Sequence, residues 1–407
     1  MRKFLFFLIL VGIGGYVYYH FVLNKEVVDY SIDTEYSASI DELYIYGTKL
    51  NLHGSALVDK DIDNVKLLFN GSSKVEYDVY YELIGNELVF YISDEINAGY
   101  NLEKYDLNSS YMYLEIFSGD DIFYYKLDNK TDYKDTEYYY INKDEKLSIS
   151  TNNNTLYLKN SSYSDKVYDF VIDPGHGGND IGACGNGICE VDYTYKISNE
   201  VKKILEDKGY SVLLTRDELG EEELLPNYGK NGRVNIANDS KAKYLISVHL
   251  NSNDYSDSGL EIYTPYNVNY DFARSLASNI KDIAGTKFSS NTSFRSEVGI
   301  YTRTLQNIDL KELEETADEK NFKPYDVSLE TTYYFIIRET GGYMSGAYKD
   351  GRDGGTYNFS SKSNVGRESY LAELGYVTSS SDVSNIKKNY LKYAEAIAKS
   401  LIEEVEA

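Results

Sequence analysis

Apolar residues in the segment 26–165 mostly alternate with polar ones. In residues 74–83 the apolar side chains fall at every second position, a period that marks one half-buried strand. Gly85 and Asn86 separate this strand from the apolar run 88–92, which predicts a hairpin. We therefore predict that residues 26–165 form a small all-β domain of the sandwich or barrel type.

The pattern changes after residue 166, where short apolar runs alternate with stretches of helical spacing. The runs 168–172 and 244–250 are typical of buried strands. Apolar residues recur at helical spacing in 191–205 and 391–405. Strands alternating with helices indicate an α/β fold. We predict that residues 166–407 form a twisted, mostly parallel sheet with helices on both faces.

A long polar segment at about residues 296–366 interrupts this second domain. It contains more chain than a connection between a strand and a helix needs, so we interpret it as an insertion. Residues 309–321 place Leu310, Leu313 and Ala317 among many acidic residues, which predicts a short amphipathic helix. The glycine-rich remainder is interpreted as a mobile flap over a cleft or, equally, as a solvated surface insertion.

The first 25 residues have the pattern of a membrane segment. Arg2 and Lys3 precede an uncharged run from position 4 to position 23, which is long enough to span a bilayer as a helix. The place of a small-residue cleavage site is taken by bulky residues, which favours an uncleaved signal-anchor over a cleaved signal peptide. The basic residues before the run indicate a cytoplasmic N-terminus and an extracytoplasmic remainder. The alternative is secretion after cleavage.

Composition narrows the possible partners. The chain has 65 acidic and 41 basic residues, a formal net charge of -24, which argues against a nucleic-acid surface. It contains 44 tyrosines and no tryptophan. Tyrosine is a good strand former, so we interpret the tyrosine clusters as packing before we interpret them as a carbohydrate platform. Only four histidines are present, which limits the choice of imidazole ligands for a metal.

Two of these histidines lie at or just after the ends of predicted strands. His176 follows the first strand of the second domain, and His249 lies near the end of a later one. Glu190 lies between them, at the start of the first predicted helix. Functional sites of open α/β sheets are assembled at the carboxyl ends of strands. Two imidazoles and one carboxylate are a known ligand set for catalytic Zn²⁺.

A zinc site of this kind also needs a general base, and Glu373 is the candidate. It is a lone acid inside the apolar run 370–375, where burying a carboxylate is costly without a task or a partner. Asp173 is interpreted either as a residue that orients a ligand histidine or as a turn former. A zinc peptidase that cuts peptide crosslinks is disfavoured because the sequence lacks the motif His-Glu-x-x-His.

These residues stand in a longer series of short motifs: Asp173-Pro174-Gly175-His176-Gly177-Gly178, Asp180, Gly182-Ala183, Glu190, Leu214-Thr215-Arg216, Arg233, Ala237-Asn238, Ser247-Val248-His249-Leu250-Asn251 and Glu373-Leu374-Gly375. In order and spacing the series resembles the catalytic domain of zinc-dependent N-acetylmuramoyl-L-alanine amidases.

The resemblance implies one Zn²⁺ per chain, held by His176, Glu190 and His249, with Glu373 as the catalytic glutamate. It also implies a substrate, peptidoglycan, and a reaction, hydrolysis of the amide between N-acetylmuramic acid and L-alanine. The resemblance to regulated wall amidases allows a regulatory protein partner, which would displace an inhibitory acidic helix. The alternative function is a catalytically inactive or regulatory wall-binding relative, which is disfavoured because all four site residues are present.

The two cysteines of the chain, Cys184 and Cys189, lie in the loop between His176 and Glu190. An extracytoplasmic compartment permits a disulfide, and a bridge here would brace Glu190. Two free thiols are the equally weighted alternative.

We predict that residues 1–24 stay attached to the mature protein, because the apolar run is long and lacks a small-residue cleavage site. N-terminal sequencing of the protein isolated from its host measures this. A first residue near position 25 would show a cleaved signal peptide instead.

Overall fold

The structure, a computed structural model, describes residues 29–104, 109–129, 136–139, 144–152, 154–218, 232–254, 256–320, 329, 331–341 and 365–407. The predicted signal-anchor and most of the glycine-rich part of the insertion lie outside these ranges. No helix within them is long and apolar enough to cross a bilayer.

The first domain is built from strands over the described ranges. They are β1 (Ser37–Tyr46), β2 (Lys49–Leu57), β3 (Asn64–Gly71), β4 (Lys74–Asp78), β5 (Tyr80–Ile84), β6 (Glu87–Tyr91), β7 (Tyr100–Asn101), β8 (Ser110–Ser118), β9 (Asp121–Asn129), β10 (Thr136–Tyr139), β11 (Glu145–Asn152) and β12 (Thr155–Ser162).

Alternation along these strands builds the core of the first domain. In β2, Leu50, Leu52 and Ala56 are buried, whereas His53 and Leu57 lie on the outward face. Equivalent alternate residues of β1, β3, β6, β8, β9, β11 and β12 complete one apolar core. Each fully buried aliphatic side chain contributes about 1.5–3 kcal/mol of burial free energy. The described part of this domain is therefore built from strands, as predicted.

The prediction of one strand over residues 74–83 is wrong. The chain forms two strands, β4 and β5, and they pair with different partners, β3 and β6 respectively. Val79, between the two strands, is buried, but all five residues of β5 are exposed. The alternating pattern is the same in both strands, so it does not reveal that the pairing partner changes. The hairpin at Gly85 is confirmed, since β5 and β6 pair antiparallel around it.

The second domain contains both strands and helices. In the described ranges these are β13 (Phe170–Pro174), β14 (Cys184–Gly185), β15 (Ile188–Cys189), α1 (Glu190–Asp207), β16 (Val212–Leu214), α2 (Arg233–Asp239), β17 (Tyr244–Asn251), β18 (Glu261–Tyr263), α3 (Asp271–Ala284), β19 (Arg295–Glu297), β20 (Ile300–Tyr301), α4 (Asn307–Lys320), α5 (Phe335–Thr340), β21 (Val365–Gly366), β22 (Glu368–Tyr376) and α6 (Ser380–Glu406).

The main sheet of the second domain has the order β16-β13-β17-β22-β18-β20-β19. The first four strands are mutually parallel, β18 is antiparallel to β22, and β18 pairs parallel with β20. Phe170 and Ile172 pack with α1, α3 and α6 on one face, whereas Val171 packs with α2 and α5 on the other. The predicted α/β architecture is confirmed.

The insertion contributes to both domains. The helix predicted over residues 309–321 is confirmed as α4, which begins two residues earlier than predicted. Helix α5 covers one face of the sheet. The end of the insertion, β21, pairs parallel with β1 of the first domain. The strand β21, which lies beyond the predicted boundary at residue 165, thus joins the N-terminal sheet.

Polar and aromatic contacts join the two domains where β22 begins. Glu368 is buried there and accepts hydrogen bonds from the Tyr370 hydroxyl at 2.5 Å and from the Asn97 amide at 3.4 Å. Nearby, the ammonium of Lys243 lies 4.7 Å from the centre of the Tyr138 ring and 4.0 Å from Glu103. The first domain is thus packed against the second domain at the start of β22.

We predict that Glu368→Gln reduces the loss of stability that the protein undergoes as the pH rises. Burial, with a smaller contribution from Glu404, raises the pKa of Glu368 to about 7, whereas an unfolded glutamate has a pKa of about 4.3. Between these values the folded state binds more protons, so the free energy of unfolding falls as pH rises through this window. Between pH 5 and pH 8, the free energy of unfolding of the variant should fall by about 1–3 kcal/mol less than that of wild type.

Urea unfolding at both pH values measures this difference. Glu395→Gln, on the exposed side of α6, is the control and should leave the pH dependence unchanged. An equal pH dependence in wild type and Glu368→Gln would contradict the assignment.

Candidate metal centre

The strand β13 delivers His176 to the carboxyl edge of the sheet. The chain turns sharply after Pro174, and His176 itself adopts a left-handed conformation with φ 61°. The turn needs a glycine at position 175, because a side chain there would collide with the ring of His249. Thr194 donates a hydrogen bond to the Gly175 carbonyl at 2.8 Å, which ties the turn to α1.

Glu190 is the first residue of α1 and is almost fully buried. Its backbone amide donates to the Ala183 carbonyl at 2.9 Å, and the Ala183 amide donates back to its carboxylate at 3.2 Å. The residues between them form the hairpin β14–β15, which Cys184 and Cys189 close with a disulfide. Of the two alternatives for these cysteines, the structure contains the bridge, and it holds the residue directly before Glu190.

The three candidate ligands come together at one point. Nε2 of His176 lies 3.0 Å from one carboxylate oxygen of Glu190, and Nδ1 of His249 lies 2.9 Å from the other. Their ligand atoms all lie within 4.8 Å of one another. Donors bonded to one tetrahedral Zn²⁺ at about 2.0–2.2 Å fit within such a spacing. The set therefore fits a zinc ion in ligand type and in geometry.

Electrostatics at the cluster favour an ionised carboxylate. Burial alone would raise the pKa of Glu190, but hydrogen bonds from His176 and His249 hold it well below its usual range. The pKa of His176 is raised, since the carboxylates of Glu190 and Asp180 outweigh the effect of burial. The Leu250 amide also donates to Glu190 at 2.9 Å. The carboxylate is therefore fixed from four directions.

Asp173 reaches His176 through Arg233, so its predicted role in orienting a ligand histidine stays a prediction. Its carboxylate accepts hydrogen bonds from Thr215 at 2.5 Å, from Ser247 at 2.6 Å and from Arg233 at 2.6 Å. Arg233 donates onward to the His176 carbonyl at 2.9 Å. Asp173 thus supports the backbone of the site through Arg233, in a fully buried network.

The residue that contacts the histidine ring is Asp180, whose role the sequence analysis missed. Its carboxylate lies 2.9 Å from Nδ1 of His176, and it also accepts the Gly182 amide at 3.0 Å. A carboxylate on the second ring nitrogen fixes the tautomer that leaves Nε2 for a metal. The only signal in the sequence is a four-residue spacing within a glycine-rich turn, which many loops share.

Glu373 lies on β22, directly opposite His249 of β17 and Glu261 of β18. It is 7% exposed, and its Oε2 is hydrogen-bonded to no atom of the described ranges. Burial, with the charges of Glu190 and Glu261, raises the pKa of Glu373 well above its usual range. A buried carboxylate oxygen without a partner is unusual in a folded protein and indicates a functional site.

A cavity of about 250 Å³ opens beside the two histidines. The insertion contributes Tyr334, Phe335 and Ile336 to its wall, and Arg233 and Leu371 lie on other sides. None of the described residues of α4 lines it. Aromatic and aliphatic walls with a few convergent polar groups are typical of ligand sites.

The domain around this cluster matches a known family. Residues 170–324 match the family model described as N-acetylmuramoyl-L-alanine amidase. The matched segment resembles that family and makes up less than half of the chain. The match covers all three candidate ligands and ends before β22, the strand that carries Glu373.

Curated relatives are similar to this chain over short stretches. The uncharacterized protein YqiI of Bacillus subtilis is 35% identical over 113 residues, 27% of this chain and 50% of that protein. The sporulation-specific N-acetylmuramoyl-L-alanine amidase of the same organism is 40% identical over 94 residues, 23% of this chain and 34% of that protein. The chain spans half or less of these relatives. A solved amidase, AmiC2 of Nostoc punctiforme, is 24% identical with a TM-score of 0.38, covering 60% of this chain and 99% of that one.

We predict that Asp180→Ala weakens zinc binding about 10–100-fold, because the His176 ring loses the partner that fixes its tautomer. Competition with a chromogenic chelator measures the affinity independently of catalysis. Asp192→Ala, on the exposed first turn of α1, is the control and should bind zinc like wild type. Equal affinities in all three proteins would contradict the role of Asp180.

Proposed function

We propose that this chain is a zinc-dependent hydrolase of the amide bond between N-acetylmuramic acid and L-alanine in peptidoglycan. The observation that carries the proposal is the convergence of His176, Glu190 and His249 at 2.9–3.0 Å inside an amidase-family domain. Glu373 is the residue paired with His249 on the neighbouring strand, and its Oε2 is hydrogen-bonded to no atom of the described ranges. This observation supports the proposal further.

Zinc would be held by Nε2 of His176, Nδ1 of His249 and the carboxylate of Glu190. When bound, such an ion polarises a carbonyl and lowers the pKa of water. Imidazole nitrogens and a carboxylate are ligands that zinc accepts readily. The buried network of Asp173 and Arg233 keeps the His176 backbone in place, so the ligand geometry does not depend on substrate.

Glu373 supplies the proton transfers of hydrolysis in this proposal. Its carboxylate accepts a proton from the attacking water while the new bond from oxygen to the amide carbon forms. The same proton then passes to the amide nitrogen, the bond from carbon to nitrogen breaks, and L-alanine leaves as a free amine. A general base within hydrogen-bonding reach of the water typically contributes about 10²–10⁴-fold to the rate.

We also propose that the domain works outside the cytoplasmic membrane, tethered through residues 1–25 as a single-pass anchor. The disulfide between Cys184 and Cys189 supports an oxidising compartment, where such bonds persist. A regulatory protein partner belongs to the same proposal, with the insertion at the cavity wall as its point of action. Tyr334 and Phe335 could then be moved relative to the histidines without a change in the ligands.

We predict that Glu373→Gln binds one zinc per chain and that its activity is about 10²–10⁴-fold lower than that of wild type. The side-chain amide of the glutamine is not basic enough to accept the proton from water. Mass spectrometry of digested muropeptides, with zinc quantified in parallel, measures both quantities. His176→Ala should lose zinc and activity together, and a chelator should silence wild type.

Two results would count against the proposal. An active Glu373→Gln protein with full zinc content would refute the base assignment. A zinc-loaded wild type that releases no stem peptide would instead support the inactive, wall-binding relative.

A further inference from the structure

Three aromatic rings form a ladder on the outward face of the first domain, far along the chain from the metal ligands. His53 on β2, Tyr91 on β6 and Tyr80 on β5 are cross-strand neighbours. The centre of the Tyr91 ring lies 5.4 Å from that of His53 and 5.4 Å from that of Tyr80, with an interplanar angle of 22° in both pairs. The rings are therefore offset stacks that continue across three strands.

This ladder is not buried against another part of the described chain. Tyr80 is 63% exposed, and His53 and Tyr91 are half-buried. The alternate residues Leu88 and Phe90 of the same strands complete the core on the inner face. The three rings on the outer face are thus not required to fill the domain interior, and the terminal ring, Tyr80, presents a large apolar surface to solvent.

Carboxylates surround the rings. Glu42 lies opposite His53 across the β1–β2 pair, and Glu82 lies two residues from Tyr80 on the same face of β5. Burial and the charge of the nearby Asp94 carboxylate raise the pKa of the Tyr91 hydroxyl. The site thus combines flat apolar faces with hydrogen-bond acceptors and has no cation among these neighbours.

We propose that the ladder of His53, Tyr91 and Tyr80 binds the sugar rings of a neutral glycan strand. The C–H groups of a pyranose carry a slight positive charge and match the negative face of an aromatic ring. Carboxylates accept hydrogen bonds from hydroxyl and N-acetyl groups. The acidic surroundings disfavour anionic polymers such as nucleic acids, whose affinity depends on cations in the protein.

The ladder is connected to the wall of the cavity through one loop of the second domain. The Asn267 amide donates to the Asp94 carbonyl at 2.5 Å, and the Ile96 amide donates to the Asn267 carbonyl at 3.0 Å. The adjacent Tyr266 amide donates to the Thr332 hydroxyl at 3.1 Å. Thr332 lies two residues before Tyr334, which lines the cavity, so a series of contacts leads from the ladder to the cavity wall.

The identity of the glycan rests on the proposed function, which supplies a polymer of N-acetylated sugars. A strand bound along the ladder would raise the local concentration of its stem peptides at the metal centre. The ladder would therefore serve to keep the enzyme on its polymer between cleavage events.

Binding of chitin oligosaccharides to the full-length Glu373→Gln chain tests the proposal. These probes have N-acetylated sugars but lack the stem peptide and its amide bond to the sugar. Calorimetry should detect binding, and Tyr80→Ala and Tyr91→Ala should each weaken it about two- to tenfold, the range expected for the loss of one aromatic contact. Tyr91→Phe keeps the ring and should retain affinity.

The matched control is Tyr81→Ala, since Tyr81 is also exposed and lies next to Tyr80 but pairs with Phe90 toward the opposite face. It should bind like the parent protein. No saccharide binding, or equal losses in Tyr80→Ala and Tyr81→Ala, would overturn the proposal, as would a ladder that captures a wall protein and no glycan. If the wild-type chain binds the saccharides but hydrolyses no amide of muropeptides, only the proposed function is refuted.

Discussion

The buried carboxylate of Glu190 is the interaction on which the site depends. Removing an ionised carboxylate from water costs several kcal/mol unless hydrogen bonds or opposite charges compensate. Here two imidazoles and the backbone amides of Ala183 and Leu250 face its two oxygens. Those four groups come from three separate chain segments, so satisfying this one side chain brings the glycine-rich turn, the disulfide hairpin and β17 to a common point.

A second buried carboxylate, that of Asp173, stabilises the site from within the sheet. Asp173 is fully enclosed, yet the charge of Arg233 and the hydroxyls of Ser247 and Thr215 keep its pKa below the usual range although burial opposes them. The network lies on the face of the sheet that α2 and α5 cover. The candidate metal centre thus lies on regular strands, and Tyr334, Phe335 and Ile336 form part of the cavity wall beside it. Such a division lets a variable segment shape access without disturbing the ligands.

The first domain is packed against the second through polar contacts rather than linked by a free tether. The Asn97 side chain donates a hydrogen bond to the Asn269 carbonyl at 3.1 Å and accepts one from the Asn269 backbone amide at 2.9 Å. With Lys243 near Glu103 and β21 paired to β1, several independent contacts cross between the domains. A surface on the first domain is therefore held in a defined relation to the loop that leads to the cavity.

The sequence by itself determined the strand and helix periodicities, the α/β class of the second domain and the identity of His176, Glu190 and His249 as candidate ligands. These features depend on near neighbours or on residue types at strand ends, which a linear pattern records. Tertiary structure decided that Asp180 rather than Asp173 contacts a histidine ring, and that Glu261 stands opposite Glu373. It also decided the change of partner at Val79 and the stacking of His53. The contact of Asp180 depends on the conformation of the turn after β13. The other three depend on which strands pair and in which register, and pairing energy comes from side chains far apart in the chain.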